Sequence, residues 1–202
     1  MDLAVLVADG SMKAVFSSLL SRPKELQTRR FSYEILVHQH RDPGCYLRAH
    51  QFLREYSGDY AHALVIFDHE GCGREADSPS YVEEQVRLNL SRNGWGERAE
   101  AVVISPELEV WAWTKSAEIA KFVAWRGNIP LYKWLANQGH WPPHNEKPPR
   151  PKEALEAVFR KQRIPRTSSA YAELVSTMSL SGHTERAFDR FLKSLRAWFP
   201  QA

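Results

Sequence analysis

Acidic residues stand at three points of the sequence where an apolar run ends. Asp9 follows the first run, and Asp68 and Glu70 follow the third. Glu107 and Glu109 come just after the fourth. Carboxylate oxygens held close together bind Mg²⁺ or Mn²⁺, which can hold a phosphate, polarise it and activate a water molecule. The residues therefore predict an acidic metal site, provided that the fold brings the three points together; an Asp-Gly pair after a strand is also an ordinary turn.

Basic residues are concentrated towards the C-terminus. Residues 1–146 contain 16 lysines and arginines against 19 aspartates and glutamates, whereas residues 147–202 contain 11 against 5. Arg74, in a glycine-rich turn just after the acid pair, is a candidate for phosphate binding. The basic tail supplies three more candidates, for salt-sensitive contacts with a nucleic-acid backbone: Lys161, Arg163 and Arg166. Solvated helix faces and a mobile loop explain the same residues equally simply.

Histidines and cysteines give weaker signals. His69 lies between the acids of the Asp68–Glu70 pair and points to the opposite face if the segment is extended, so it is expected to pack or to support the site. His38 and His40 could bind zinc only with a third ligand, and no cysteine with zinc-like spacing accompanies them. Cys45 and Cys72 are too few for a disulfide framework and are interpreted as reduced thiols.

Four apolar runs of strand length alternate with segments of helical periodicity. The predicted strands cover residues 3–8, 33–37, 62–67 and 101–104. Ser11 is the expected N-cap of the first helix. This alternation favours an α/β fold with a mainly parallel sheet flanked by helices, and function in such sheets gathers at the carboxyl ends of the strands. The acids are therefore expected to converge at one edge of the sheet.

The strand signal ends after Pro106, and the rest of the chain is predicted to be helical. Residues 142–151 contain five prolines, which predict a stiff connector. We expect an α/β domain over residues 1–116 and a helical C-terminal extension over residues 117–202, packed on the first. The tryptophans near this boundary are expected to pack in the core, with stacking on single-stranded bases as the alternative. With no membrane-length apolar run and no signal-peptide layout, we expect a cytoplasmic location and no membrane partner.

Three motifs, in this order, resemble those of Toprim-like proteins of bacterial anti-phage defence systems, a group that includes the RloB-like proteins. They are Val-Ala-Asp-Gly at residues 7–10, Val-Ile-Phe-Asp-His-Glu-Gly at residues 65–71 and Ser-Pro-Glu-Leu-Glu-Val-Trp at residues 105–111. In that family Glu-Gly follows the first strand, Asp-x-Asp follows the third, and Pro-x-x-Glu-x-Trp opens a helix after the next. The aromatic C-terminal segment is similar to the tail of a related group of small Toprim-like proteins. The resemblance covers most of the chain and implies a Toprim-like sheet.

The resemblance also implies roles for the acids. Asp9 takes the place of the family's first glutamate, a general acid or base. Asp68 and Glu70 match the pair that binds Mg²⁺ or Mn²⁺, and Glu109 matches the later glutamate; Asp9 is a further candidate ligand. Asp9 is one methylene shorter than the family's glutamate, and Glu70 is one methylene longer than the aspartate it replaces. The two changes either compensate or have removed catalysis from the site.

Three functional hypotheses follow. The first is a metal-dependent nuclease acting on DNA or RNA. The second is a catalytically inactive Toprim-like scaffold or regulatory subunit that binds a partner protein of the same defence system. The third is an enzyme that uses the same acids on a small nucleotide or on tRNA. The sequence leaves the oligomeric state open.

Overall fold

The computed structural model describes residues 1–114, 116–180 and 182–201, and it contains a sheet of four parallel strands. The strands are β1 (Leu3–Val7), β2 (Tyr33–Val37), β3 (His62–Asp68) and β4 (Ala99–Ile104), and their order across the sheet is β2-β1-β3-β4. In register, Leu3 pairs with Tyr33 on one side and with His62 on the other. The predicted α/β fold with a parallel sheet is confirmed.

Helices connect and flank these strands. They are α1 (Gly10–Leu20), α2 (Pro23–Leu26), α3 (Arg41–Leu53), α4 (Pro79–Leu90), α5 (Ser116–Phe122), α6 (Leu131–Asn137), α7 (Pro151–Gln162), α8 (Ser168–Thr177) and α9 (Arg186–Trp198). Short 3-10 turns cover Arg54–Tyr56, Gly96–Arg98 and Leu108–Thr114, and a π turn covers Ser91–Trp95. No helix of the described ranges is long and apolar enough to cross a membrane.

Strands β1, β3 and β4 are almost entirely buried, as expected for parallel strands, whereas the edge strand β2 buries only Ile35. Every residue of β1 is fully buried. Helices α3 and α4 pack together against the inner strands and β4. A right-handed crossover from β1 to β2 places α1 on the other face of the sheet. There the ring of Phe16 in α1 contacts that of Phe191 in α9, with 5.5 Å between the ring centroids. The C-terminal helix is thus part of the core of the sheet.

A second apolar core lies between the central helices. Its fully buried members include Ile119, Leu135 and Phe159, and it is joined to the first core through Tyr171 and Val175 of α8, which pack against both. The expected division into residues 1–116 and 117–202 stays a prediction, but the C-terminal part does not pack as one unit, because α9 belongs to the first core and α5 to α8 to the second.

The topology places a crevice at the carboxyl ends of β1 and β3. These two strands are neighbours, yet the chain leaves β1 towards β2 and leaves β3 towards β4. Connections that depart in opposite directions leave a gap above the sheet, which is where α/β proteins bind ligands. Asp9 lies two residues after Val7, the last residue of β1, and Asp68 is the last residue of β3.

Candidate functional site

The crevice forms a polar cleft of about 180 Å³, called here the strand-end cleft. It brings together the end of the sheet with the first turns of α1, α7 and α8. Its walls are formed by Asp9, Ser11, Met12, Asp68, Leu108, Glu109, Lys152, Arg166, Thr167, Ser168 and Tyr171. Of the predicted site residues, Asp9, Asp68, Glu109 and Arg166 therefore line one cleft.

Asp68 is the most constrained carboxylate of the cleft. Although part of the residue reaches solvent, its Oδ1 atom is shielded from water and has no hydrogen-bond partner among the described residues. Burial raises the pKa of Asp68 well above its usual value, and the nearby carboxylates of Asp42, Glu109 and Glu107 raise it further. A buried, unpaired carboxylate oxygen is costly, so this group favours a bound proton or cation.

Asp42 is a member of the site that the sequence interpretation missed. It lies in the first turn of α3, and its Oδ1 accepts a hydrogen bond from the backbone N–H of Asp68 at 2.9 Å. Burial raises the pKa of Asp42, and the carboxylate of Asp9 contributes in the same direction. The strand-end rule could have found it, because Asp42 comes five positions after Val37, the last residue of β2.

Asp9 also has a structural role. Its backbone is extended, and its Oδ1 accepts the backbone N–H of Met12 at 2.9 Å, so Asp9 rather than the expected Ser11 is the N-cap of α1. The correction follows from geometry: the cap precedes the first helical residue, and here that residue is Gly10. Ser11 instead faces α8, where its hydroxyl lies 3.2 Å from that of Ser168.

The side chains of Glu107 and Glu109, which follow β4, have different surroundings. The Oε1 atom of Glu107 accepts the backbone N–H of Lys152 at 3.0 Å and thereby satisfies a free donor at the start of α7. Glu109 lines the cleft and is 8% exposed. Burial is the main cause that raises the pKa of Glu109 to about 7; the positive charge of Lys152 opposes this, and Glu107 and Asp9 add to it.

Lys152 is the second residue that the sequence interpretation missed. Its Nζ atom lies 3.9 Å from Oε2 of Glu107, and its side chain is 47% exposed. Partial burial would lower the pKa of Lys152, but the surrounding acids Glu109, Glu107 and Asp68 outweigh it, so the pKa is raised. Only tertiary structure brings this lysine to the acids, since it arrives on α7 after the proline-rich connector, and the sequence gives no local signal for it.

Four predicted site residues lie outside the cleft walls. Glu70 is exposed, and its backbone N–H donates to the carbonyl of Pro106 at 2.9 Å. Arg74 pairs with Asp77 at 2.5 Å and lies over the ring of Tyr46. The other two, at the end of α7, are exposed: Lys161 and Arg163. Arg166 does line the cleft, and it forms an ion pair with Glu156.

The expected metal set is not assembled in the described part of the chain. In the ranges that the structure covers, no group of three or more His, Cys, Asp or Glu side chains is arranged so that it could hold a metal ion together. The backbone N–H of His40 donates to Nδ1 of His38 at 3.1 Å, so this pair is tied into a local turn. His69 is buried beside the carbonyl of Asp77, as expected of a supporting residue. Cys45 and Cys72 are free, buried thiols.

Comparisons with known proteins identify no relative of this chain. A scan against models of protein families finds no match, and neither a search of curated proteins nor a search of solved structures finds one. The Toprim-like resemblance therefore stays a prediction based on three motifs. What this site can do has to be argued from its own residues: a buried cluster of carboxylates at a topological switch point, with one lysine and one arginine at its rim.

Proposed function

We propose that the strand-end cleft is the site of Mg²⁺- or Mn²⁺-dependent phosphoryl transfer, with DNA or RNA as the substrate. The observation that carries the proposal is the shielded, unpartnered Oδ1 atom of Asp68 among other carboxylates. The resemblance to Toprim-like proteins supports the same chemistry and a role in anti-phage defence in the cytoplasm, beside other proteins of a defence operon.

The residues present fit a hard divalent cation. Asp68 and Asp42 would hold it, with Glu109 close enough to influence the charge of Asp68. Mg²⁺ is commonly held by one or two carboxylates, several waters and the phosphates of the substrate, so an assembled set of three protein ligands is not required. When bound, the cation would neutralise phosphate charge and lower the pKa of a bound water.

The other residues of the cleft have separate tasks in this proposal. Lys152 and Arg166 carry the positive charge that a phosphate needs at the rim of an acidic cleft. Glu109, with a pKa of about 7, can hold or release a proton near neutral pH. Asp9 holds the start of α1 through Met12 and keeps its second carboxylate oxygen for the cleft.

Replacing Asp68 tests the proposal. Asp68→Asn keeps the shape of the side chain but removes its charge, and we expect divalent-metal-dependent cleavage of labelled DNA and RNA to fall about 100-fold or more. Asp59→Asn is the matched control, because Asp59 is exposed and lies before β3, at the opposite end of the sheet. Equal cleavage by wild type and Asp68→Asn would refute the assignment.

Glu70→Gln should stay active, because Glu70 does not line the cleft. Loss of activity in Glu70→Gln would favour the metal pair predicted from the sequence, Asp68 and Glu70, over the pair of Asp68 and Asp42.

The inactive-scaffold hypothesis is supported by one observation, the position of Lys152. Its ammonium group already contributes positive charge to Glu107, Glu109 and Asp68, as a bound cation would. In that case the cleft is a former metal site in which Lys152 replaces the cation. The ligand of the chain is then a partner protein of the defence system. Calorimetry with Mn²⁺ separates the two: binding that is lost in Asp68→Asn supports the enzyme, and absence of binding together with co-purification of a neighbouring gene product supports the scaffold.

A further inference from the structure

A second concave surface lies outside the strand-end cleft, beside α6. This surface, called here the aromatic groove, encloses about 560 Å³ and is lined mainly by apolar and amide side chains. Residues that contribute to it include Ile129, Tyr132, Lys133, Asn137, Trp141 and Asn145. Tyr132 is 48% exposed and Ile129 is 38% exposed, so the apolar lining faces solvent.

The ring of Trp141 at this groove is held in place. The indole N–H of Trp141 donates to the carbonyl of Asn145 at 2.8 Å, which fixes the ring against the connector. Trp141 also meets Trp113 in a T-shaped pair at 5.5 Å between ring centroids. A ring that is already fixed loses little further conformational entropy when a ligand packs on it.

Among the described residues, Lys133 is the one charged side chain that lines the groove. Residues 119–145 contain no aspartate or glutamate, and their formally charged side chains are Lys121, Arg126 and Lys133. All three are exposed. Glu146, the next residue along the chain, is exposed but does not line the groove. A polyanion in the groove would therefore meet Lys133 and no acidic lining side chain.

The groove and the strand-end cleft are connected through one buried side chain. Trp113, which packs against Trp141, donates its indole N–H to the carbonyl of Pro151 at 2.9 Å. The next residue is Lys152, which lines the strand-end cleft. The ring of Trp141 and the cleft residue Lys152 are therefore positioned by the same contact.

We infer that the aromatic groove binds a base of single-stranded nucleic acid by stacking on Tyr132 and Trp141. Aromatic faces hold bases irrespective of sequence, amides such as those of Asn137 and Asn145 match base edges, and lysine contacts the backbone phosphate. The inference deepens the proposed function, on which it rests for its substrate class, and it selects single strands because bases inside a duplex cannot reach a ring face.

Oligonucleotide binding in EDTA tests the groove without catalysis. The probes are fluorescein-labelled single strands of mixed-sequence DNA and of RNA, with the matching duplexes beside them, read by anisotropy on the full chain. Tyr132→Ala should weaken single-strand binding about 5- to 150-fold, the range expected for loss of one stacked base. Tyr132→Phe should bind like the wild type. Tyr81→Ala is the matched control, because Tyr81 is 47% exposed on α4 and lies outside the groove.

Salt dependence and a lysine control complete the test. Lys133→Gln should reduce the slope of log Kd against log salt by about 0.7, the value expected for one phosphate contact with a single strand. Lys24→Gln, at an exposed lysine of α2 outside the groove, should leave the slope unchanged. Unchanged binding in Tyr132→Ala, equal loss in Tyr81→Ala, or binding of a proline-rich peptide without binding of single strands would overturn the inference. If the groove inference fails in this way but cleavage persists, the proposed function is retained. If the groove variants behave as expected but no cleavage occurs, the proposed function is rejected and the groove inference is retained.

Discussion

Lys152 of the strand-end cleft and Asp42 beside it show which residues of the site could be found in the sequence. Asp9, Asp68 and Glu109 follow strands, and the strand-end rule predicts them because parallel strands deliver their carboxyl ends to one edge. Asp42 obeys the same rule but is separated from β2 by a turn. Lys152 obeys no local rule, since its place depends on how α7 packs against the 3-10 turn Leu108–Thr114. Charge alone could not have separated Lys152 from the exposed Lys161.

Glu109 predicts a pH dependence of stability. Its pKa is about 7 in the folded chain against 4.5 for the free side chain, because burial disfavours the charged form. The raised pKa contributes stability that is fully present below pH 4.5 and is lost as the pH rises to 7. Glu109→Gln resembles the protonated form, so at pH 8 it should be more stable than the wild type by up to about 3 kcal/mol, and near pH 4.5 by little.

Urea unfolding of both proteins at pH 5 and pH 8 measures this difference. The neighbouring acids titrate in both proteins, so the change in the difference between the two pH values reports Glu109. Glu97→Gln is the control, since the side chain of Glu97 is 86% exposed and its removal should give no pH-dependent change. A constant difference between wild type and Glu109→Gln at both pH values would contradict the assigned pKa.

At the scale of elements, periodicity and turn residues predicted the strands well and the helix starts less well. All four strands agree with the predicted ranges to within two residues. Helix α4 begins with a typical Ser-Pro start, with Ser78 as N-cap and Pro79 in the first turn. The error at α1 arose because Asp9 was interpreted as a turn and site residue, whereas a carboxylate at a helix start can be both cap and ligand.

Glu83 on α4 holds the outer edge of β4. This carboxylate is fully buried; its Oε1 accepts the backbone N–H of Val103 at 2.9 Å, and its Oε2 pairs with Arg186 of α9 at 2.6 Å. Glu83→Ala leaves a strand N–H without its acceptor and loosens α9, so the free energy of unfolding should fall by about 2–4 kcal/mol.

The neighbouring acid provides the comparison for Glu83. Glu84 forms an ion pair with Arg87 at 2.9 Å, but its side chain is 45% exposed, so Glu84→Ala should cost less than about 1 kcal/mol. Urea unfolding monitored by circular dichroism gives both values. Similar losses in the two variants would show that the buried carboxylate does not hold the edge of the sheet.

At the scale of the whole molecule, part of the basic tail pairs with the acidic front. Arg186 and Arg190 of α9 pair with Glu83 and Glu100, and Lys152 of α7 approaches Glu107. Part of the charge asymmetry in the sequence is therefore internal to the fold. Residues 119–145, which contain no acid, add exposed positive charge that a count over the tail could not single out.

The two cores are expected to unfold together. Helix α8 packs along α1 and contributes Tyr171 and Val175 to both cores, while α9 fills the first core with Phe191, which is fully buried. Removing the Phe191 ring should cost about 3–5 kcal/mol. Because the cores share α8, the loss should shift one common transition rather than unfold the sheet alone.

Phe191→Ala and Phe159→Ala, one from each core, test this coupling. Phe159 is as fully buried as Phe191 but lies in the second core. Far-UV circular dichroism and tryptophan fluorescence should give coincident urea transitions in the wild type and in both variants, with the midpoint lowered each time. Two separated transitions, with each variant moving only its own, would mean that the core of the sheet and the core of the central helices fold as independent units, and that α8 connects them without coupling them.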